Sequence, residues 1–201
     1  MAMTLNAGNL FQFITYISPF LLLFTFILIG FLNNEPLNSI IYVGAVCFST
    51  FIIGLFQSGF NSKSFAERNP MCDLWDIPGI GTQYNVPSLS TFFITFSTVY
   101  MLLPMFLSGS INYGILLLFI ILLVSDTISK LQNKCTNIKG ILAGFVFALV
   151  LSGISTLVMY SSIPDLMFFT QKSSNKVSCG KPGKNKFKCS VYKNGQLLKE
   201  L

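Results

Sequence analysis

Five long apolar segments separated by polar breaks dominate the pattern of this chain. They cover residues 11–32, 39–60, 89–107, 111–125 and 140–160. The hydrocarbon core of a membrane is about 30 Å thick and needs about 20 apolar residues in helical form. The pattern therefore predicts an all-α polytopic membrane protein with five transmembrane helices in a bundle. Residues 1–10 form a short N-terminal segment before the bundle.

The composition of the chain supports the same class. The chain has 201 residues, of which 52% are hydrophobic and 10% are charged. A soluble globular domain carries about 25% charged residues. This composition excludes a water-soluble surface, and the lipid bilayer is the first expected partner.

The positive charge is concentrated in a C-terminal tail, residues 161–201. The net charge is +6, and eight of the 13 basic residues lie in this tail: Lys172, Lys176, Lys181, Lys184, Lys186, Lys188, Lys193 and Lys199. Short strand-like runs and the Asn194-Gly195 turn signal predict a small β-hairpin. The alternative is a disordered tail that orders on a protein partner. Such a tail binds anionic headgroups or fixes orientation. Nucleic acid is not an expected partner, because only Phe187 and Tyr192 supply aromatic rings among the lysines.

Two polar loops, residues 61–88 and 126–139, lie on one predicted side of the membrane, because two spans separate them. They supply four candidate anion-binding residues: Lys63, Arg68, Ser88 and Lys130. The alternative is that these residues lie at the level of the headgroups, where the long basic side chains extend towards water, without forming a site. Asp126 precedes Lys130 by four residues, and we expect it to lie at the membrane interface and to pair with Lys130. The alternative is a functional carboxylate near the apolar core. The loops suggest neither a metal site nor a cofactor.

Two short sequences in these loops resemble motifs of a known superfamily. Pro87-Ser88-Leu89-Ser90 resembles Pro-Ser-x-His, and Ser129-Lys130, followed by Thr136 and Gly140, resembles Ser-Arg, five residues, His, three residues, Asp. These are the second and third motifs of the type 2 phosphatidic acid phosphatase and vanadium haloperoxidase superfamily. The resemblance covers about residues 39–160 and implies a phosphate site made by basic groups and the serine. The family's two histidines act as acid and nucleophile.

The first motif of that superfamily, Lys, six residues, Arg-Pro, fits poorly. Asn69 separates Arg68 from Pro70, and Lys63 lies five rather than seven residues before Arg68. The histidines are also missing, since the chain contains none.

The replacements remove the chemistry of the family. Ser90 stands at the acid position, Thr136 at the nucleophile and Gly140 at the orienting aspartate. Hydroxyl groups do not act as bases near neutral pH, and losing one general acid or base costs about 10²–10⁴-fold in rate. We therefore expect no enzyme activity. The predicted protein is a catalytically inactive lipid phosphatase relative that acts as a membrane scaffold or binds anionic headgroups.

Two alternatives stay open. One is an unrelated structural membrane protein, such as a virion or organelle membrane component, that docks partners through its basic tail. The other is an active phosphatidic acid phosphatase-type hydrolase whose catalytic groups are displaced to other positions.

The cysteines and the charge distribution give predictions about sidedness. Cys179 and Cys189 in the tail, or Cys72 and Cys135 in the two loops, could form a disulfide in an oxidising compartment. The positive-inside rule favours a cytosolic tail, with the loops 61–88 and 126–139 on the exoplasmic or lumenal side.

Overall fold

Five helices form the first of two compact units in the structure. The structure is a computed structural model that describes residues 7–60, 72, 86–109, 111–168, 177–179, 189–193 and 196–200. The first unit contains α1 (Ala7–Leu32), α2 (Pro36–Phe60), α3 (Leu89–Leu107), α4 (Tyr113–Gln132) and α5 (Ile138–Ser162). All five are long and apolar enough to cross a membrane. The predicted polytopic helical membrane protein is confirmed.

The ends and breaks of the helices follow from local chemistry. The Asn112 side chain caps α4 by accepting from the backbone of Gly114 at 3.0 Å, which satisfies an orphan N–H of the first turn. Helix α1 runs on through Pro19, which cannot donate to the carbonyl of Thr15. The hydroxyl of Ser18 donates to that carbonyl at 2.8 Å. The Thr15 carbonyl therefore has a hydrogen-bond donor although it lies within an apolar helix.

The fourth span is longer than the sequence predicts. We expected it to end at Ser125, but α4 continues to Gln132. Asp126 and Lys130 lie one turn apart on this helix and contact each other at 3.4 Å. Because each charge compensates the other, the helix continues through a stretch whose composition suggested a loop. The connection to α5 is only residues 133–137.

Helix α3 forms the centre of the bundle. In the most apolar part of α3, 72% of the residues are buried, whereas the corresponding fraction in the other four helices is 22% to 39%. Its most extensive contact is with α5, which presents small buried residues to it: Gly144, Ala148 and Ser152. The Ser152 hydroxyl donates to the Phe96 carbonyl of α3 at 2.9 Å. Small residues let two membrane helices approach closely, and α3 and α5 meet closely at Gly144 and Ser152.

Replacing Gly144 with alanine is expected to destabilise the bundle by about 1–3 kcal/mol. A Cβ at Gly144 would lie 2.6 Å from the backbone oxygen of Ser88, and that backbone cannot move without shifting the start of α3. Gly153→Ala is a matched control on α5, because nothing lies within 4 Å of its added Cβ. Thermal unfolding in detergent micelles measures both. Equal midpoints for the two variants would contradict the close approach of α3 and α5.

The second unit is a small antiparallel sheet in the basic tail. Its strands are β1 (Val177–Cys179), β2 (Cys189–Lys193) and β3 (Gln196–Glu200), in the order β1-β2-β3. The pair β2–β3 corresponds to the hairpin expected around Asn194-Gly195, and β1 adds a third strand.

Candidate functional site

Ser88 lies where α3 begins and is held there by two other helices. It is the N-cap residue of α3, and its backbone N–H donates to the Gly140 carbonyl of α5 at 2.9 Å. The preceding carbonyl, of Pro87, accepts from Gln57 Nε2 of α2 at 2.8 Å. The start of α3 is therefore fixed by α2 on one side and α5 on the other.

Lys130 reaches this position from α4. Its Nζ donates to Ser88 Oγ at 2.5 Å and to Thr91 Oγ1 at 3.2 Å. It also lies 3.4 Å from Asp126 Oδ2, which confirms the expected pair. Lys130 is 7% exposed. The structure thus brings together two of the four predicted anion-binding residues, Ser88 and Lys130, inside the bundle.

The Asp126 carboxylate completes the arrangement. Ser90 Oγ donates to its Oδ1 at 2.7 Å, and Thr91 Oγ1 donates to its Oδ2 at 2.8 Å. Asp126 is 1% exposed, so its side chain is enclosed by the bundle. We call the five residues Ser88, Ser90, Thr91, Asp126 and Lys130 the polar cluster. It joins α3 to α4 through charge-assisted hydrogen bonds.

The polar cluster is electrically neutral and internally satisfied. One ammonium and one carboxylate compensate each other, and the three N–H donors of Lys130 have three oxygen partners within the protein. Both carboxylate oxygens of Asp126 accept hydrogen bonds. A buried ion pair persists at low energetic cost only when its remaining polar atoms are satisfied in this way.

The three positions that resemble the family's catalytic residues carry no titratable base. Ser90 is buried and donates its hydroxyl to Asp126. Thr136 is 6% exposed and lies in the connection between α4 and α5. Gly140 contributes its backbone carbonyl to Ser88. The arrangement provides hydroxyl and backbone hydrogen bonds, which hold helices together but do not transfer a phosphoryl group by the family's mechanism.

A disulfide joins the two connections on this side of the bundle. Of the two pairs predicted as alternatives, the structure links Cys72 to Cys135, which are 63 residues apart in sequence. The hydroxyl of Tyr16 on α1 lies 3.1 Å from Cys135 Sγ. The other pair, Cys179 and Cys189, occupies directly opposite positions on β1 and β2.

The remaining predicted anion-binding residues, Lys63 and Arg68, lie outside the residues that the structure describes. Their part in the site stays a prediction.

Thr91 is the member of the polar cluster that the sequence analysis did not single out. Its hydroxyl contacts Ser88, Asp126 and Lys130. The available signal was spacing: Thr91 follows Ser88 by three residues, so both side chains share one face of α3. Hydroxyls are common on membrane helices, where they usually bond to their own backbone, and the sequence alone does not separate Thr91 from Thr95 or Thr98.

No family model, curated protein or solved structure matches this chain. The resemblance to the phosphatidic acid phosphatase superfamily therefore rests on the two short sequence motifs alone.

Proposed function

We propose that this protein is a non-catalytic membrane scaffold whose chain resembles an inactive lipid phosphatase. The bilayer-spanning bundle is the part of this function that the structure establishes. The polar cluster supports the scaffold role, because its charged and hydroxyl groups bond to one another between α3 and α4.

The observation that carries the proposal is the hydrogen bond from Ser90 to Asp126, at 2.7 Å. Ser90 stands where the resemblance places a leaving-group acid. Its hydroxyl is used in a structural contact with a buried carboxylate, and no histidine exists elsewhere in the chain to replace it. Phosphoryl transfer would lack both the acid and the nucleophile that the family needs.

Headgroup binding at Ser88 and Lys130 is the second candidate, because these donors suit a phosphate. A phosphate bound there would have to compete with Asp126 for the same ammonium group. That competition costs more than binding at an unpaired lysine, since it would leave a buried carboxylate without its counter-ion. The scaffold role is therefore favoured.

The disulfide supports the proposed sidedness. Disulfides form and persist in oxidising compartments. We accordingly propose that the Cys72–Cys135 end of the bundle faces the exoplasmic or lumenal side. The eight lysines of the tail fit a cytosolic location under the positive-inside rule.

Purified protein in detergent micelles is expected to release no phosphate from short-chain phosphatidic acid, and this lipid is expected to shift the unfolding midpoint of Lys130→Met by as much as it shifts that of the wild type. A ligand bound at 100 times its Kd would stabilise the fold by about 2.7 kcal/mol, which raises the midpoint measurably. The control ligand is phosphatidylcholine of equal chain length. Phosphate release that disappears in Ser88→Ala would establish the displaced-chemistry alternative. A midpoint rise abolished by Lys130→Met, without phosphate release, would establish the headgroup binder instead.

A further inference from the structure

A groove runs between α4 and α5 on the outside of the bundle. Both helices pack against α3 but hardly against each other. The gap between them has a volume of about 360 Å³, which lies within the usual range of roughly 300–1,000 Å³ for small-molecule sites. Its floor includes Thr91 of α3, the residue shared with the polar cluster.

The walls of this groove are apolar and lie near one membrane surface. The apolar lining residues are Leu123, Val124, Ile128, Ile141, Leu142 and Phe145. Phe145 is seven residues inside α5, which corresponds to about 10 Å from the start of the helix. The groove therefore lies beside the part of the acyl chains nearest the headgroups, in the leaflet where α4 ends and α5 begins.

The groove does not suit another helix. Membrane helices associate closely through small residues. On α5 the small residues Gly144, Ala148 and Ser152 are buried, and Gly144 and Ser152 contact α3 directly. The groove walls are instead bulky and mostly apolar, as expected for contact with hydrocarbon chains.

A positive charge marks the end of the groove at the membrane surface. Lys139 is exposed and lies in the first turn of α5, three residues before Leu142. Residues three apart share a helix face, so Lys139 stands above the groove on the wall formed by Leu142. A cation in the first turn is disfavoured by the helix dipole, and a nearby anion offsets that cost.

From this arrangement we infer that the α4–α5 groove is a binding site for one anionic phospholipid, with an acyl chain between the helices and the headgroup beside Lys139. The lipid stays intact, since binding requires no chemistry at the polar cluster. This inference is independent of the scaffold proposal: it concerns the outer surface of the bundle, whereas the scaffold proposal concerns its buried polar residues.

The test uses contact quenching of tryptophan fluorescence by brominated acyl chains. The single native tryptophan, Trp75, is replaced by phenylalanine, and Phe145→Trp places a reporter in the groove. The protein is reconstituted in vesicles of unbrominated phosphatidylcholine. Increasing fractions of one dibrominated lipid are included, either anionic phosphatidylglycerol or zwitterionic phosphatidylcholine. Half-maximal quenching is expected at about a fivefold lower fraction of the anionic lipid, the preference that one lysine near the surface provides.

Two variants make the result specific. Lys139→Ala is expected to remove the fivefold preference because it removes the positive charge, and Lys139→Arg is expected to retain the preference because it keeps that charge. Lys139 is exposed, so neither change is expected to disturb the fold. A second reporter, Phe51→Trp, lies on an exposed face of α2, where the residue is 56% exposed, and is expected to show no preference. Equal quenching by both lipids at Phe145→Trp would overturn the inference and reduce the groove to ordinary lipid contact. No quenching by either lipid would also overturn it, since protein would then fill the groove.

Discussion

Replacing Asp126 with asparagine is expected to destabilise the bundle by about 3–5 kcal/mol, the cost of leaving one buried charge without its partner. The substitution preserves shape and one acceptor oxygen but removes the negative charge 3.4 Å from Lys130 Nζ. Water cannot solvate the ammonium readily, because Lys130 is 7% exposed. The free energy of unfolding, measured by denaturant titration in micelles, reports this loss.

The double variant Asp126→Asn with Lys130→Met separates charge from packing. Removing both charges is expected to recover most of the lost stability, because a neutral pair of similar size carries no uncompensated charge. Thr98→Val is the control for loss of a hydroxyl on α3, since among the described residues the Thr98 hydroxyl donates to the Ile94 carbonyl of its own helix alone, at 2.7 Å. That control should cost under about 1 kcal/mol. If Asp126→Asn costs no more than Thr98→Val, the ion pair does not stabilise the bundle.

Removal of the Cys72–Cys135 disulfide has the second largest expected effect. The bond closes a loop of 63 residues, and the chain-entropy relation gives about 4 kcal/mol for a loop of that length. The double variant Cys72→Ser with Cys135→Ser is therefore expected to unfold at a clearly lower denaturant concentration. Variants are preferable to a reducing agent, which would also act on any other disulfide in the chain.

Cys47→Ala provides the matched control for the disulfide variant. Cys47 is a free, exposed cysteine on α2, so its replacement is expected to leave the midpoint within experimental error. A wild-type midpoint in the double cysteine variant, measured beside this control, would show that the bond does not contribute to stability.

The membrane class could be read from the sequence because it depends only on local chemistry. Segment length and hydropathy decide whether a helix can cross a hydrocarbon core, and all five segments form such helices. The pairing of Asp126 with Lys130 could be read as well, since it follows from an i,i+4 spacing on one helix. The end of the fourth span could not. Two charged residues in the sequence indicate a polar loop, because composition does not show that their charges compensate each other.

Only the tertiary structure determined what the charges do. The sequence put Ser88 and Lys130 in one candidate anion-binding site but did not specify which groups they contact. The outcome depends on the distance between α3 and α4, which places Thr91 and Ser90 against the Asp126 carboxylate. Likewise, the pairing of Cys72 with Cys135 depends on which connections meet in space. The sequence by itself determined that this protein resides in a lipid bilayer, because the length and apolar composition of its segments decide that. The tertiary structure decided the partners of its polar groups, because hydrogen bonds require geometry that spacing along a chain does not specify.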